Sequence, residues 1–331
     1  MLLILTWAVI ISFIIMMYVL LDGFDLGIGI LFPWIKHGQY RDIMMSSVLP
    51  VWDGNETWLV FGAAALYGAF PLAYSVLLPT LYIPIMILLV SLIFRGVAFE
   101  FRFKAHRSQF VWDIAFATGS TVAAFIQGVI LGTFVKGYGS HLPLPHTTYQ
   151  WLTPFSVFTG LAVVCGYALL GATWLIVKTE GNLQDQLYKA AKILLGLVTF
   201  FLVGVSFWTP IIEPRVIKIW FSLPHFYYLA ILPLLTLVIV LYNFYCLYNR
   251  KKEKAPFVLT MGLFICSYLG FCISAWPYII PHSVSIWDAA AAPSTLKFTL
   301  VGTAVLLPVL LIYTLYSYHV FRGKVKESIH Y

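Results

Sequence analysis

An all-α, polytopic membrane protein of about nine transmembrane helices is the fold class this sequence predicts, and three observations carry that reading. The 331 residues are 61% hydrophobic and 10% charged, against the quarter or so of charged residues usual in soluble domains. Apolar runs longer than about eighteen residues recur from end to end, each long enough to cross a bilayer core. The basic residues fall in short loops between those runs and sort onto one side.

Spans are expected near 3–27, 54–75, 77–98, 112–135, 154–177, 190–208, 225–248, 257–280 and 298–321. The first does not read as a cleaved leader, because it continues through Met16 and Met17 into an Asp22 motif with no small-residue cleavage site. The second opens after Pro50, with Trp52 and Trp58 as expected interfacial anchors. The third ends in the basic run Arg95–Arg102–Lys104, and the fourth starts beside Trp112 and Asp113, an expected cap. The fifth is followed by Lys178-Thr179-Glu180-Gly181, and the last two are separated by Pro281 to Pro293. The loop from Lys136 to Trp151, rich in Gly, His, Pro and Tyr, reads as an outer interfacial segment. The whole of 1–331 reads as one transmembrane domain, with 1–135 and 154–280 as two four-helix groups and 298–321 as a ninth helix. That division rests on length, since no strong internal repeat is present.

Numbering the loops alternately puts sixteen Lys and Arg residues on one side, from Lys36 and Arg41 to Lys324 and Lys326, and only Lys136, Arg215, Lys218 and Lys297 on the other. This bias places the amino terminus outside and the carboxyl terminus in the cytoplasm. The same distribution speaks against nucleic-acid binding, despite a formal net charge of +7, because no single solvated face collects the bases. Cys165, Cys246, Cys266 and Cys272 lie in apolar spans with no C-x-x-C pair, so metal or redox thiol chemistry is not expected. No Walker loop, dinucleotide fingerprint or zinc spacing occurs. None of the eight histidines falls in mid-span, which makes the chain a poor haem holder, since a buried haem needs axial side chains from facing helices.

The acids are the informative residues. Leu21-Asp22-Gly23-Phe24-Asp25-Leu26-Gly27 and Trp52-Asp53-Gly54-Asn55-Glu56-Thr57-Trp58 put four carboxylates in or beside apolar spans, where an ionisable group costs at least a few kcal/mol. Asp22 and Asp25 are three apart and share a helix face. Gly23 and Gly27 form a small-xxx-small packing patch pointing roughly the other way. Two readings stay open for the acid pair: a proton-handling site, or polar glue between helices. Asp53 followed by Glu56 also fits a capping box at a helix entrance, and that cap is compatible with a proton inlet. Glu100 fits an interfacial ion pair with Arg95, Arg102 or Lys104. By the charge sorting, all these acids lie in the cytoplasmic half.

Both acid motifs at this spacing resemble subunit II of the cytochrome bd-type quinol oxidases. The likeness continues through Ala69-Phe70-Pro71-Leu72-Ala73-Tyr74, Phe94-Arg95-Gly96-Val97-Ala98-Phe99-Glu100, Lys178-Thr179-Glu180-Gly181 and Trp287-Asp288-Ala289, and so spans essentially the whole chain. The short connections point to the compact, cyanide-insensitive branch. The resemblance implies a bacterial inner-membrane complex that oxidises quinol, reduces dioxygen to water and draws its protons from the cytoplasm. It implies haem b and haem d in the partner subunit I, no catalytic residue and no metal in this chain, and in some members a structural quinone or small accessory subunits. It also implies two four-helix bundles plus one helix, and a proton path through Asp22, Asp53 and Glu100, with Asp25 in the same motif. The rival of another class is a secondary transporter, which places acids and broken helices near the midplane. Here the acids cluster toward one side, and no paired broken helix appears in the second half.

Overall fold

From Leu20 to Phe32 every residue is buried, so the inner half of the first helix has no face left for lipid and sits in the middle of the bundle. The computed structural model describes residues 1–105, 107–137, 151–281 and 283–325. In chain order the helices begin with α1 (Leu2–Leu31), α2 (Gly38–Ser46), α3 (Trp52–Ala69), α4 (Pro71–Thr80) and α5 (Tyr82–Phe101). They continue with α6 (Gln109–Lys136), α7 (Pro154–Lys178), α8 (Gly181–Ile212), α9 (Pro214–Phe221) and α10 (His225–Leu229). The remainder are α11 (Ile231–Asn249), α12 (Ala255–Ala275), α13 (Ile286–Ala289) and α14 (Pro293–Val320). A short antiparallel hairpin, β1 (Tyr278–Ile280) and β2 (Val284–Ser285), precedes α13.

Around α1 pack α3, α6 and α7, while α5 lies on α6, α8 on α7, and α11 on α12. The α1–α7 contact is close because of glycine. A Cβ on Gly27 would overlap the Tyr167 carbonyl, and one on Gly171 would overlap the Gly27 backbone. Gly23, one turn earlier, faces the Tyr167 ring. Small residues here let two backbones touch and maximise dispersion contact where lipid offers no hydrophobic drive.

Among the described residues eight segments are long and apolar enough to cross a membrane, beginning with Leu2–Trp34 and ending with Pro293–Val320. The second span expected from the sequence is α3, which is not among the eight. It nevertheless runs from the level of Arg95, which its Glu56 contacts, to Ala69, whose carbonyl accepts from the Ala291 N–H at 2.9 Å. It ends at Ala69 rather than near 75 because the residue before Pro71 is pushed out of helical geometry, and Phe70 sits at φ −131°, ψ 64°. Pro71 then starts α4, and the third expected span begins only at Tyr82. The outer loop expected between Lys136 and Trp151 falls mostly outside the described residues, as do His106, His141, His146, His282, His330 and Lys326.

The bundle has two chemically different ends. At one, Trp7 Nε1 donates to the Leu296 carbonyl at 3.0 Å, and α4 meets α13 and β1. Asp288 there closes a capping box with Ser285 at the start of α13. At the other end, charged side chains tie the loops together. Arg41 and Arg102 share Asp113 at 2.9 and 2.5 Å, Arg102 also holds Asp42 at 2.6 Å, and both guanidinium groups lie over Phe32. This clamp fixes α2 beneath α5 and α6. Asp113 therefore does not cap α6, which starts at Gln109; its carboxylate is occupied by two arginines. On the far side, Lys178 caps the Phe321 and Gly323 carbonyls at the end of α14, and Lys324 holds Glu253 at 2.8 Å.

Candidate functional site

Asp22 and Asp25 project from the fully buried half of α1, and each finds a different partner. Arg95, completely buried on α5, donates through Nη1 to Asp22 Oδ1 at 2.5 Å and through Nη2 to Glu56 Oε2 at 2.7 Å. Asp25 Oδ2 accepts from Asn55 Nδ2 at 2.8 Å. That same amide nitrogen reaches the Leu21 carbonyl at 3.3 Å, and Asn55 Oδ1 accepts from the Tyr318 hydroxyl at 2.9 Å. Helices α1, α3, α5 and α14 thus converge on one polar knot. Asp22 Oδ2, Asp25 Oδ1 and Arg95 Nε are buried with no hydrogen-bond partner among the described residues.

Charge decides what this knot can do. Three carboxyl groups surround one guanidinium, so full ionisation would leave two uncompensated negative charges in a low-dielectric site. Desolvation opposes that, and mutual attraction offsets the cost of buried charge only where charges pair. Two carboxyl oxygens of the cluster, Asp22 Oδ2 and Asp25 Oδ1, stay open among the described residues.

Two surface clefts lie beside it. Asp53 is exposed on the first turn of α3, and with Glu56, Trp52, Thr57 and Gly96 it lines a cleft of about 610 Å³ between α3 and α5. A neighbouring cleft of about 350 Å³ is lined by Trp52, Glu100 and Lys104. Side-chain exposure falls from 64% at Glu100 to 26% at Glu56 and 1% at Asp22. Glu100 pairs with Lys104 at 3.7 Å, both side chains exposed, and does not touch the buried knot.

Two expectations require correction. Glu56 is not a capping partner: α3 begins at Trp52 with no side-chain cap, which puts Asp53 inside the first turn, and the buried Arg95 takes the Glu56 carboxylate. Trp58 is not an interfacial anchor; it is 1% exposed and meets the Phe13 ring edge-on at 6.1 Å. Trp52 lies half-buried, stacked on Phe99. Gly23 and Gly27 face α7, away from the acids' partners on α3 and α5. Sequence reasoning missed Arg95 as the hub, counting it among loop bases, although an arginine set back from the end of an apolar helix already implied buried partners. Asn55 and Tyr318 gave no such signal.

A second buried polar chain runs beside the knot. Gln127 donates to the Tyr18 hydroxyl at 2.8 Å and accepts from Tyr167 at 2.8 Å, linking α6 to α1 and α7. Of the histidines, the described ones, His37, His225 and His319, are all exposed, and the buried knot offers carboxyl and guanidinium groups.

The comparisons with known proteins agree along the full length. The profile described as "Cytochrome bd terminal oxidase subunit II" matches residues 3–321. The chain is 28% identical to the cytochrome bd-I ubiquinol oxidase subunit 2 of Escherichia coli (strain K12), over 98% of this chain and 95% of that one. It is 27% identical to the cytochrome bd ubiquinol oxidase subunit 2 of Bacillus subtilis (strain 168), over 97% and 96%. Its fold is similar to a chain of the bd oxidase of Geobacillus thermodenitrificans, with a TM-score of 0.75 at 17% identity, covering 96% of this chain and 97% of that one. With its apolar helices, this makes it a multi-pass protein of the bacterial inner membrane, and the chain belongs to the subunit II family of the cytochrome bd terminal oxidases.

Proposed function

We propose that this chain is the subunit of a quinol:dioxygen oxidoreductase that ligates no haem itself, supports the haem-bearing subunit I, and supplies carboxylates to a proton path from the cytoplasm. The end carrying the arginine clamp and Lys178, Arg250 and Lys324 is then the cytoplasmic one, by the positive-inside bias. Haem b and haem d belong to subunit I in this reading, which the exposed position of His37, His225 and His319 supports. Where family members hold a structural quinone or small accessory subunits, those would be further components of the same complex.

The observation that carries the proton path is the knot of three carboxyls around Arg95, approached through a cleft lined by Asp53 and Glu56. Protons consumed when dioxygen is reduced would enter at Asp53, with Glu100 raising their local supply from the neighbouring cleft. Glu56 and Asp22 flank Arg95 and pass a proton inward, and Asp25 holds one in reserve. Arg95 keeps the net charge of the path tolerable at each step.

The test is oxygen consumption by the purified complex. Asp53→Asn should slow turnover by at least about tenfold, and Asp22→Asn should also slow it, while the haem absorption spectrum stays complete. Unchanged turnover in the assembled variants would make the acids structural. A chain that purifies alone, colourless, and binds a solute would overturn the oxidase assignment in favour of a transporter.

A further inference from the structure

We propose that Asn55 is a positioning residue for Asp25: its amide, held in one direction by the Leu21 carbonyl and bonded at its oxygen by the Tyr318 hydroxyl, decides which carboxyl oxygen of Asp25 can carry a proton. The inference rests on the reading of Asp25 as a proton-holding group. It starts from the chemistry of three neighbours of one amide.

Asn55 is 1% exposed, so its amide must find partners within the protein. A phenol hydroxyl can donate or accept, a backbone carbonyl can only accept, and an amide has distinct donor and acceptor ends. The Tyr318 hydroxyl lies 2.9 Å from Asn55 Oδ1, and the Leu21 carbonyl lies 3.3 Å from Asn55 Nδ2. The Leu21 carbonyl suits one orientation only, and in that orientation the Tyr318 hydroxyl donates to the amide oxygen. Reversing the amide would set its oxygen against the Leu21 carbonyl and leave a buried acceptor facing another acceptor. With the amide so held, its second hydrogen points at Asp25 Oδ2, 2.8 Å away.

A proton on Asp25 Oδ2 would collide with that N–H. The proton of a neutral Asp25 therefore sits on Oδ1, which is buried and has no partner among the described residues. Asp22 Oδ2 is in the same condition on the same face of α1. The two open carboxyl oxygens of the knot become its proton-exchanging pair, and Asn55 is excluded from the exchange. The Tyr318 hydroxyl completes this arrangement from a ring that is separately fixed. It packs edge-on to Phe24 at 6.3 Å and to Trp174 at 5.9 Å, so a phenylalanine there keeps the packing and removes only the hydroxyl.

The experiment uses the purified complex with its partner subunit and infrared difference spectroscopy in the carbonyl region of protonated carboxylic acids. The band missing in Asp25→Asn is that of Asp25. In Tyr318→Phe the band should shift in frequency and the pH profile of oxygen consumption should move, with the haem spectrum intact. Asn55→Leu should give the same band shift, and the double variant should add nothing to it. Should Tyr318→Phe not assemble, Asn55→Leu decides alone by the same shift. An Asp25 band unmoved in these variants, or no band lost in Asp25→Asn, overturns the proposal. Wild-type turnover in Asp25→Asn together with a shifted band in Tyr318→Phe would sink the relay and keep the positioning role.

Discussion

Arg95 is the residue on which the buried acids depend, and its replacement should show it. Breaking a buried ion pair leaves an uncompensated charge and costs about 3–5 kcal/mol, and Arg95 serves two partners at once. Arg95→Met should therefore sharply reduce the yield of assembled complex, measured by haem content per mass of membrane protein. Adding Asp22→Asn and Glu56→Gln to it should restore part of that yield without restoring turnover, because the charge problem is removed together with the proposed proton carriers. Arg95→Lys should not rescue, since one ammonium cannot present two fixed N–H groups to carboxylates on different helices. At this scale the sequence was legible for single residues and silent about pairs. The cost of Asp22 and Asp25 in an apolar run is a property of the run itself. The partners Arg95 and Tyr318 lie 73 and 263 positions from the groups they bond, and no local pattern encodes such distances. The capping box at Asp53 and Glu56 failed for the same reason: a local rule gave way to a buried cation on another helix.

At the scale of elements, the seam between α1 and α7 is the contact most sensitive to size. Gly27→Leu should destabilise the complex by about 1–3 kcal/mol, the usual cost of overpacking, or block assembly outright. Gly38→Ala, where a Cβ would meet nothing within 4 Å, should leave thermal stability unchanged in the same melting assay. The small-xxx-small spacing in α1 is legible from sequence alone, because glycine pairs at i and i+4 in an apolar helix have few other uses. The helix that receives them is not. Most element boundaries followed apolar run length. Exceptions came at Phe70 and Pro71, where proline geometry divided what hydropathy ran together, and at α8, which starts at Gly181 rather than near 190.

On the scale of the whole molecule, α14 is fastened mainly by its ends. Trp7 holds its first turn, and Lys178, Lys324, Glu253 and Gln184 strap the segment after its last. The Lys324 ammonium, aided by the Gln184 amide, holds the Glu253 carboxyl below its ordinary value. A depressed carboxyl contributes stability that is complete above its ordinary pKa of about 4.3 and is lost as pH falls through the lower folded value. The contribution is a few tenths of a kcal/mol, because the pair is well exposed to water. Melting temperature should accordingly fall below about pH 4 slightly more steeply in the wild-type complex than in Glu253→Gln, and Glu253→Gln should already start lower at neutral pH. The sequence showed the basic side of the membrane but not this strap, since charge counting sorts residues by side and not by partner. The two-ended fastening of α14 also imposes an order in time. A ribosome delivers α1, α3 and α7 before α14, so Trp7, Asn55 and Lys178 all wait for a helix that arrives after them. Until it docks, the Asn55 amide oxygen lacks its phenol donor. The acid knot is thus completed by a helix made after all the others that build it.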